Sequence, residues 1–143
     1  MSTYAYVLNE TGASVSKIAL STFTVTSTLT VGTQPQLLAI DPTGTYAYVA
    51  NGNGASVSQI ALSTFTVTST LTVAPQPYSI ALDPTGTYAY VANYGSNTVS
   101  KIALSTFTVS ATLTVAGGPF GIAIDPPAPT PTLLTTTTML RQR

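Results

Sequence analysis

An all-β fold built from three equal units is what this sequence predicts, and three observations predict it. A stretch of 42 residues occurs three times without insertion, at 3–44, 45–86 and 87–128. Apolar and polar residues alternate with period two inside each copy. Two copies end on the same turn-forming tetrapeptide, Asp-Pro-Thr-Gly, and the third begins it with Asp125-Pro126. The first two copies are identical at 32 of 42 positions.

Each copy divides into four strands. The first is Thr3 to Leu8, rich in Tyr and Val, and it ends in the Asn9-Glu10-Thr11-Gly12 loop. The second runs from Ser14 to Leu20. A short turn at Ser21-Thr22 leads to the third, Phe23 to Val31, where Phe23, Val25, Leu29 and Val31 alternate with threonines. A Gly/Pro loop follows, and the fourth strand, Leu37 to Ile40, is nearly all apolar. Asp41-Pro42-Thr43-Gly44 then has type I turn chemistry: Asp accepts hydrogen bonds from the turn, Pro presets φ, and Gly closes it.

Four short antiparallel strands in 42 residues make one blade of a β-propeller. The apolar fourth strand is expected innermost, as strand A, buried on both faces. The other three follow outward as B, C and D. The chain then reads BCD, ABCD, ABCD, A, which is three four-stranded blades. Propellers need about four to eight blades to close. The sequence therefore predicts a homodimer forming a six-bladed ring, in which residues 119–125 of one copy complete the 3–31 blade of the other. A nine-bladed trimer is disfavoured, and a fragment of a longer repeat array is the alternative. Residues 129–143 form a Pro/Thr-rich tail, read as a terminal extension, with an O-glycosylated stalk as the alternative.

Composition narrows the function. The 143 residues include no His, Cys or Trp, four acidic and four basic side chains, and a net charge of zero. This excludes disulfides, thiolate or imidazole metal sites and a Ser-His-Asp triad. It also leaves no electrostatic footprint for nucleic acid. No signal peptide and no apolar run of membrane-spanning length are visible.

Asp83-Pro84-Thr85-Gly86, Tyr90-Val91-Ala92-Asn93 and Asn97-Thr98-Val99-Ser100-Lys101-Ile102 together resemble the YVTN-type β-propeller repeat. The first copy departs from it with Tyr6-Val7-Leu8-Asn9. The resemblance covers all three copies. It implies a propeller and an extracellular or cell-surface location. Relatives of that architecture include lactonases and a streptogramin lyase, whose chemistry relies on His or acidic groups in the central pocket. With no His, the sequence predicts a non-enzymatic structural or binding module without cofactor or metal. A lactonase- or lyase-like enzyme is the runner-up, with Glu10 and the turn aspartates as its only candidate bases.

The B–C and D–A loops fall on one face, expected to bind ligand. That face carries Tyr78, Phe120, Tyr94, Gln34, Gln36, Gln76, Asn53 and Asn97, together with Glu10. Amides beside aromatic planes suit an uncharged glycan or a peptide. Asp41, Asp83 and Asp125 recur every 42 residues but are read as turn caps. Asn9, Asn51 and Asn93 are read as caps at strand ends that tolerate left-handed backbone.

Overall fold

The computed structural model describes residues 3–129. It contains eleven strands: β1 (Tyr4–Asn9), β2 (Ser14–Ala19), β3 (Thr24–Thr30), β4 (Pro35–Ile40), β5 (Tyr46–Asn51), β6 (Ser56–Ala61), β7 (Thr66–Thr72), β8 (Pro77–Leu82), β9 (Tyr88–Asn93), β10 (Thr98–Ala103) and β11 (Thr108–Thr114). One 3-10 turn, Tyr94–Ser96, interrupts the last B–C loop. The strands form three antiparallel sheets, β1-β2-β3, β4-β5-β6-β7 and β8-β9-β10-β11. Each sheet is one propeller blade. The Pro/Thr-rich tail beyond residue 129 lies outside the described residues. No helix among them is long and apolar enough to cross a membrane.

The blades are held together by apolar residues between adjacent sheets. Val15 of the first blade packs with Ala47, Val49, Ile60 and Phe65 of the second. Tyr48, Ala50, Val57 and Val73 of the second pack with Ile80, Ala89, Val91 and Ile102 of the third. Fully burying each such aliphatic side chain is worth about 1.5–3 kcal/mol. The middle blade uses both of its faces this way, while the outer strands β3, β7 and β11 stay largely exposed and are uncharged.

Strand B is the most buried strand, not strand A. In β5 every residue after Tyr46 is buried, whereas β4 has one buried residue. The expectation that strand A is covered on both faces is therefore corrected. Strand A is the edge of each four-stranded sheet, with a strand partner on one side only, while strand B lies between A and C.

The first blade has three strands and no inner partner for β1. Residues 119–125 form no strand, contrary to the sequence expectation. They run beside β8, with the Ile122 amide donating to Ser79 Oγ at 3.3 Å. Ile122 and Ile124 are half-buried and Gly121, Ala123 and Asp125 exposed, which is strand alternation. A strand needs a neighbour that pairs with its backbone, and among the described residues this segment has no such ladder partner.

Two irregularities recur in the ladders. The C–D pairs shift register between Lys17 and Ile18, Gln59 and Ile60, and Lys101 and Ile102. The A–B pairs shift between Pro35 and Leu37 and between Pro77 and Ser79. Gln36 and Tyr78 are thus the extra residues of β-bulges, a device that re-aims a side chain out of the ladder.

Candidate functional site

The B–C and D–A loops lie together on one face of the blades. The Gly52 amide donates to the Gln34 carbonyl at 2.7 Å and the Tyr94 amide to the Gln76 carbonyl at 2.8 Å. In the third blade the Gly118 amide donates to Asn97 Oδ1 at 2.9 Å. Gln34 (φ 52°) and Gln76 (φ 53°) occupy left-handed backbone, as does Gly118 at the matching position. Their turn geometry thus puts the backbone carbonyl to structural use and leaves both exposed amide side chains on the loop face.

The bulges place the remaining groups. Gln36 Nε2 donates to Glu10 Oε1 at 3.3 Å, joining the first two blades. Tyr78 meets Tyr94 edge-on with ring centroids 5.3 Å apart. It also meets Phe120 at 5.2 Å with the rings inclined by 33°. Phe120 is 69% exposed and Tyr94 46%. Gly95 leaves room for the Gln76 side chain, because a Cβ there would lie 2.9 Å from Gln76 Oε1. The face therefore carries a carboxylate held by an amide at one end and three aromatic rings at the other. Asn53 is exposed on its loop and is not drawn into either group. Asn97 is committed to Gly118.

The turn aspartates lie in A–B turns, at the opposite ends of the strands. Asp41 Oδ1 accepts from the Thr45 amide at 2.8 Å and Oδ2 from the Thr43 hydroxyl at 3.1 Å. Asp83 Oδ1 accepts from the Thr87 amide at 2.8 Å and the Thr85 hydroxyl at 3.1 Å. Burial opposes the charge of Asp83, but hydrogen bonds from Thr87, Tyr88, Thr85 and Gly86 outweigh it and hold the carboxyl below its ordinary value of 3.8. Asp41 also borders a cleft of about 360 Å³ with Tyr46, Tyr48 and Gln59. No cluster of three metal-ligating side chains occurs among the described residues.

The strand-end asparagines differ from expectation. Asn93 has φ −101°, so it is not left-handed. Asn51 Nδ2 donates to Ser56 and Ser58 Oγ at 3.1 and 3.0 Å, tying strand B to strand C. Asn9 and Asn93 make the same ties. The Oδ1 atoms of Asn51 and Asn93 are buried without a partner.

The sequence points to Glu10 and Gln36 separately as loop-face residues but not to their pairing. The two stand 26 residues apart, and no local motif links them. The recurrence of position 36 as a bulge residue becomes visible only in the ladder register.

Comparison with known proteins overturns the non-enzymatic expectation. Hydrazine synthase from Kuenenia stuttgartiensis is similar over 82% of this chain and 34% of its own, at 28% identity and a TM-score of 0.80. A Bacteroides fragilis protein described as a candidate 6-phosphogluconolactonase is similar over 85% of this chain and 39% of its own, at 20% identity and a TM-score of 0.74. The chain thus spans between a third and two fifths of these structures. No curated protein matches it significantly. Residues 1–116 match the family described as "Lactonase, 7-bladed beta-propeller". The missing His weighed against an enzyme because it is the commonest general base, but Asp and Glu carboxylates also serve as general bases. The chain belongs to the seven-bladed β-propeller lactonase family.

Proposed function

We propose that this chain supplies blades of a lactone-hydrolysing propeller and that Glu10 is its general base. The observation carrying this is that Glu10 sits on the loop face, held by Gln36 at 3.3 Å, while Asp41 and Asp83 are consumed by their turns. The Glu10 carboxylate takes a proton from water as the water oxygen bonds to the lactone carbonyl carbon. The ring C–O bond then breaks, and the proton returns from Glu10 to the departing alkoxide, giving a hydroxy acid. Gln36 has a second N–H to offer the developing oxyanion. Tyr78, Tyr94 and Phe120 form the wall against which the substrate ring rests, with the amides of Gln34 and Gln76 beside it. The test is the initial rate of hydrolysis of glucono-1,5-lactone and simple γ- and δ-lactones above the uncatalysed rate. Glu10→Gln should lower kcat by about 10²–10⁴. Equal rates for the two proteins would refute the role of Glu10.

The same reading includes ring closure by a second copy, in the twofold arrangement the repeats suggest. Val7 is 43% exposed, whereas Val49 and Val91, one and two repeats on, are fully buried. In β4–β5 the pairs are Pro35↔Asn51, Leu37↔Ala50, Leu38↔Val49, Ala39↔Tyr48 and Ile40↔Ala47. Translated by whole repeats, they become Pro119↔Asn9, Gly121↔Leu8, Ile122↔Val7, Ala123↔Tyr6 and Ile124↔Ala5. Further blades of a longer array would use the same edge in the same register. The YVTN-like character of the repeats and the surface location it implies belong to this proposal as well.

A further inference from the structure

We infer that the cleft between the second and third blades, at the end of the strands opposite the loop face, binds a primary alkylammonium ion. That is the group that ends a lysine side chain or a free alkylamine. The site is separate from the lactonase reading and does not depend on it.

The repeats themselves carry the argument. Position 17 of the first copy recurs at 59 and 101, and the three residues are Lys17, Gln59 and Lys101. Each stands opposite a tyrosine of strand B, namely Tyr6, Tyr48 and Tyr90. In the first and third blades the lysine ammonium lies over the first tyrosine of that strand. Lys17 Nζ is 4.0 Å from the centroid of Tyr4, and Lys101 Nζ is 4.0 Å from that of Tyr88. The quadrupole of the ring attracts a cation placed over its face. Tyr46 is the same ring in the middle blade, and Gln59 has no charge to offer it. The Gln59 side chain is drawn to its neighbours instead. Its Nε2 donates to Tyr48 Oη at 3.3 Å, and its Oε1 accepts from Thr68 Oγ1 at 3.1 Å. The ring of an ammonium site is thus repeated three times, and strand C supplies the cation twice.

The rest of the site is built around Tyr46. A cleft of about 360 Å³ is lined by Asp41, Tyr46, Tyr48 and Gln59 of the second blade and by Thr87 and Leu104 of the third. Asp41 and Tyr46 face each other across the A–B turn, where the Asp41 amide donates to the Tyr46 carbonyl at 2.9 Å. The turn fixes the Asp41 carboxylate through the Thr45 amide and the Thr43 hydroxyl. Each oxygen takes one of these bonds and has a lone pair left for an incoming N–H. The charge of Asp41 is felt inside the cleft. Burial raises the Tyr48 phenol above its ordinary value of 10.0, the Gln59 bond lowers it, and the Asp41 carboxylate raises it further. Leu104 offers an apolar wall to an alkyl stem, as methylene groups of lysine lie along apolar surface. An ammonium over Tyr46 and beside Asp41 gains a ring and an ion pair, whereas a neutral alcohol of the same shape gains neither.

The experiment uses n-butylammonium chloride, which has the stem and charge of a lysine side chain, and n-butanol as its neutral counterpart. Both are titrated into the full chain and followed by ligand-observed NMR. The ammonium should bind saturably in the millimolar range, at least about tenfold more tightly than the alcohol, and more weakly as salt rises. Gln59→Lys gives the middle blade the residue that the other two carry. It should hold or raise the urea midpoint and weaken butylammonium at least about tenfold. Tyr46→Leu and Asp41→Asn should each weaken it by about threefold or more, while Glu10→Gln on the loop face should leave it unchanged. Nα-acetyl-lysine methylamide distinguishes the sources of the ion. Binding like that of butylammonium assigns the cleft to lysine side chains of a partner as well as to free amines, and binding of butylammonium alone assigns it to free amines. No saturable binding, equal binding of the alcohol, undiminished binding to Gln59→Lys or loss of binding in Glu10→Gln would each overturn the inference. A failure of lactone hydrolysis would bear on the loop face and leave this site standing.

Discussion

Phe23, Phe65 and Phe107 sit at the same repeat position in the C–D turn, all in left-handed backbone at φ 51°, 51° and 49°. That conformation costs a non-glycine residue about 1–2 kcal/mol. Phe65 offsets it by packing on Tyr6 of the preceding blade with centroids 5.8 Å apart, and Phe107 does the same on Tyr48 at 5.9 Å. Among the described residues Phe23 has no preceding blade to pack on, and it is 81% exposed, against 9% for Phe65. Replacing either with Gly relieves the backbone strain, and the relief is roughly cancelled by the extra backbone entropy of Gly, about 0.5–1 kcal/mol. What remains is the ring contact. Phe65→Gly should therefore lower the unfolding free energy by about 3 kcal/mol, and Phe23→Gly should change it by less than about 1 kcal/mol in the single chain. In a closed ring the repeat translation brings Phe23 against Tyr90 of the blade that precedes it. The cost of Phe23→Gly should then grow toward that of Phe65→Gly as protein concentration rises. Urea unfolding followed by circular dichroism over a concentration series reads all of this. Equal losses for the two variants, at concentrations where sedimentation shows single chains, would refute the reasoning.

Two further predictions concern the polar framework. Asp83 has its folded-state pKa lowered, so its carboxylate contributes stability above the ordinary value of 3.8, and that contribution disappears as pH falls through the folded value. Asp83→Asn should be less stable than the parent at neutral pH and lose less on acidification below about pH 4, measured as urea midpoints against pH. Asn51 is fully buried and donates to two serine hydroxyls. Asn51→Ala should cost about 1–3 kcal/mol by the same unfolding assay, through the hydroxyls it leaves unpaired.

The strands were legible in the sequence to within one or two residues. Strict period-two alternation and the Asp-Pro-Thr-Gly turns are local signals, and the observed β1 to β3 fall within a residue of their expected ends. The burial of strand B over strand A was not legible, because an apolar tetrapeptide such as Leu37–Ile40 looks the same at a channel edge as in a core. The left-handed residues were hidden too. Turn chemistry points to Gly and Asn, whereas this fold places Phe23, Ala13 and Gln34 there, with the Ala13 and Gln34 carbonyls accepting from the Val31 and Gly52 amides of their own blades. The loop-face residues could be named because the loops stood out by their variation between copies. Their grouping into a Glu10–Gln36 pair and a Tyr78–Tyr94–Phe120 trio depends on bulges in the ladder and on contacts between blades, which composition cannot report.

The claim on which the rest stands is that these repeats are consecutive blades whose open ends match in one register. The chain contains no Cys, so a doubly substituted protein, Val7→Cys with Ile122→Cys, tests it without background. Directly opposed strand residues lie within disulfide reach, with Cβ atoms about 4.5–5.5 Å apart. Mild oxidation should give a covalent dimer on a non-reducing gel, and the off-register pair Val7→Cys with Ala123→Cys should not, because Ala123 faces the other side of the sheet. A cross-link confined to single chains, equal cross-linking of the two pairs, or no cross-link at all would contradict it.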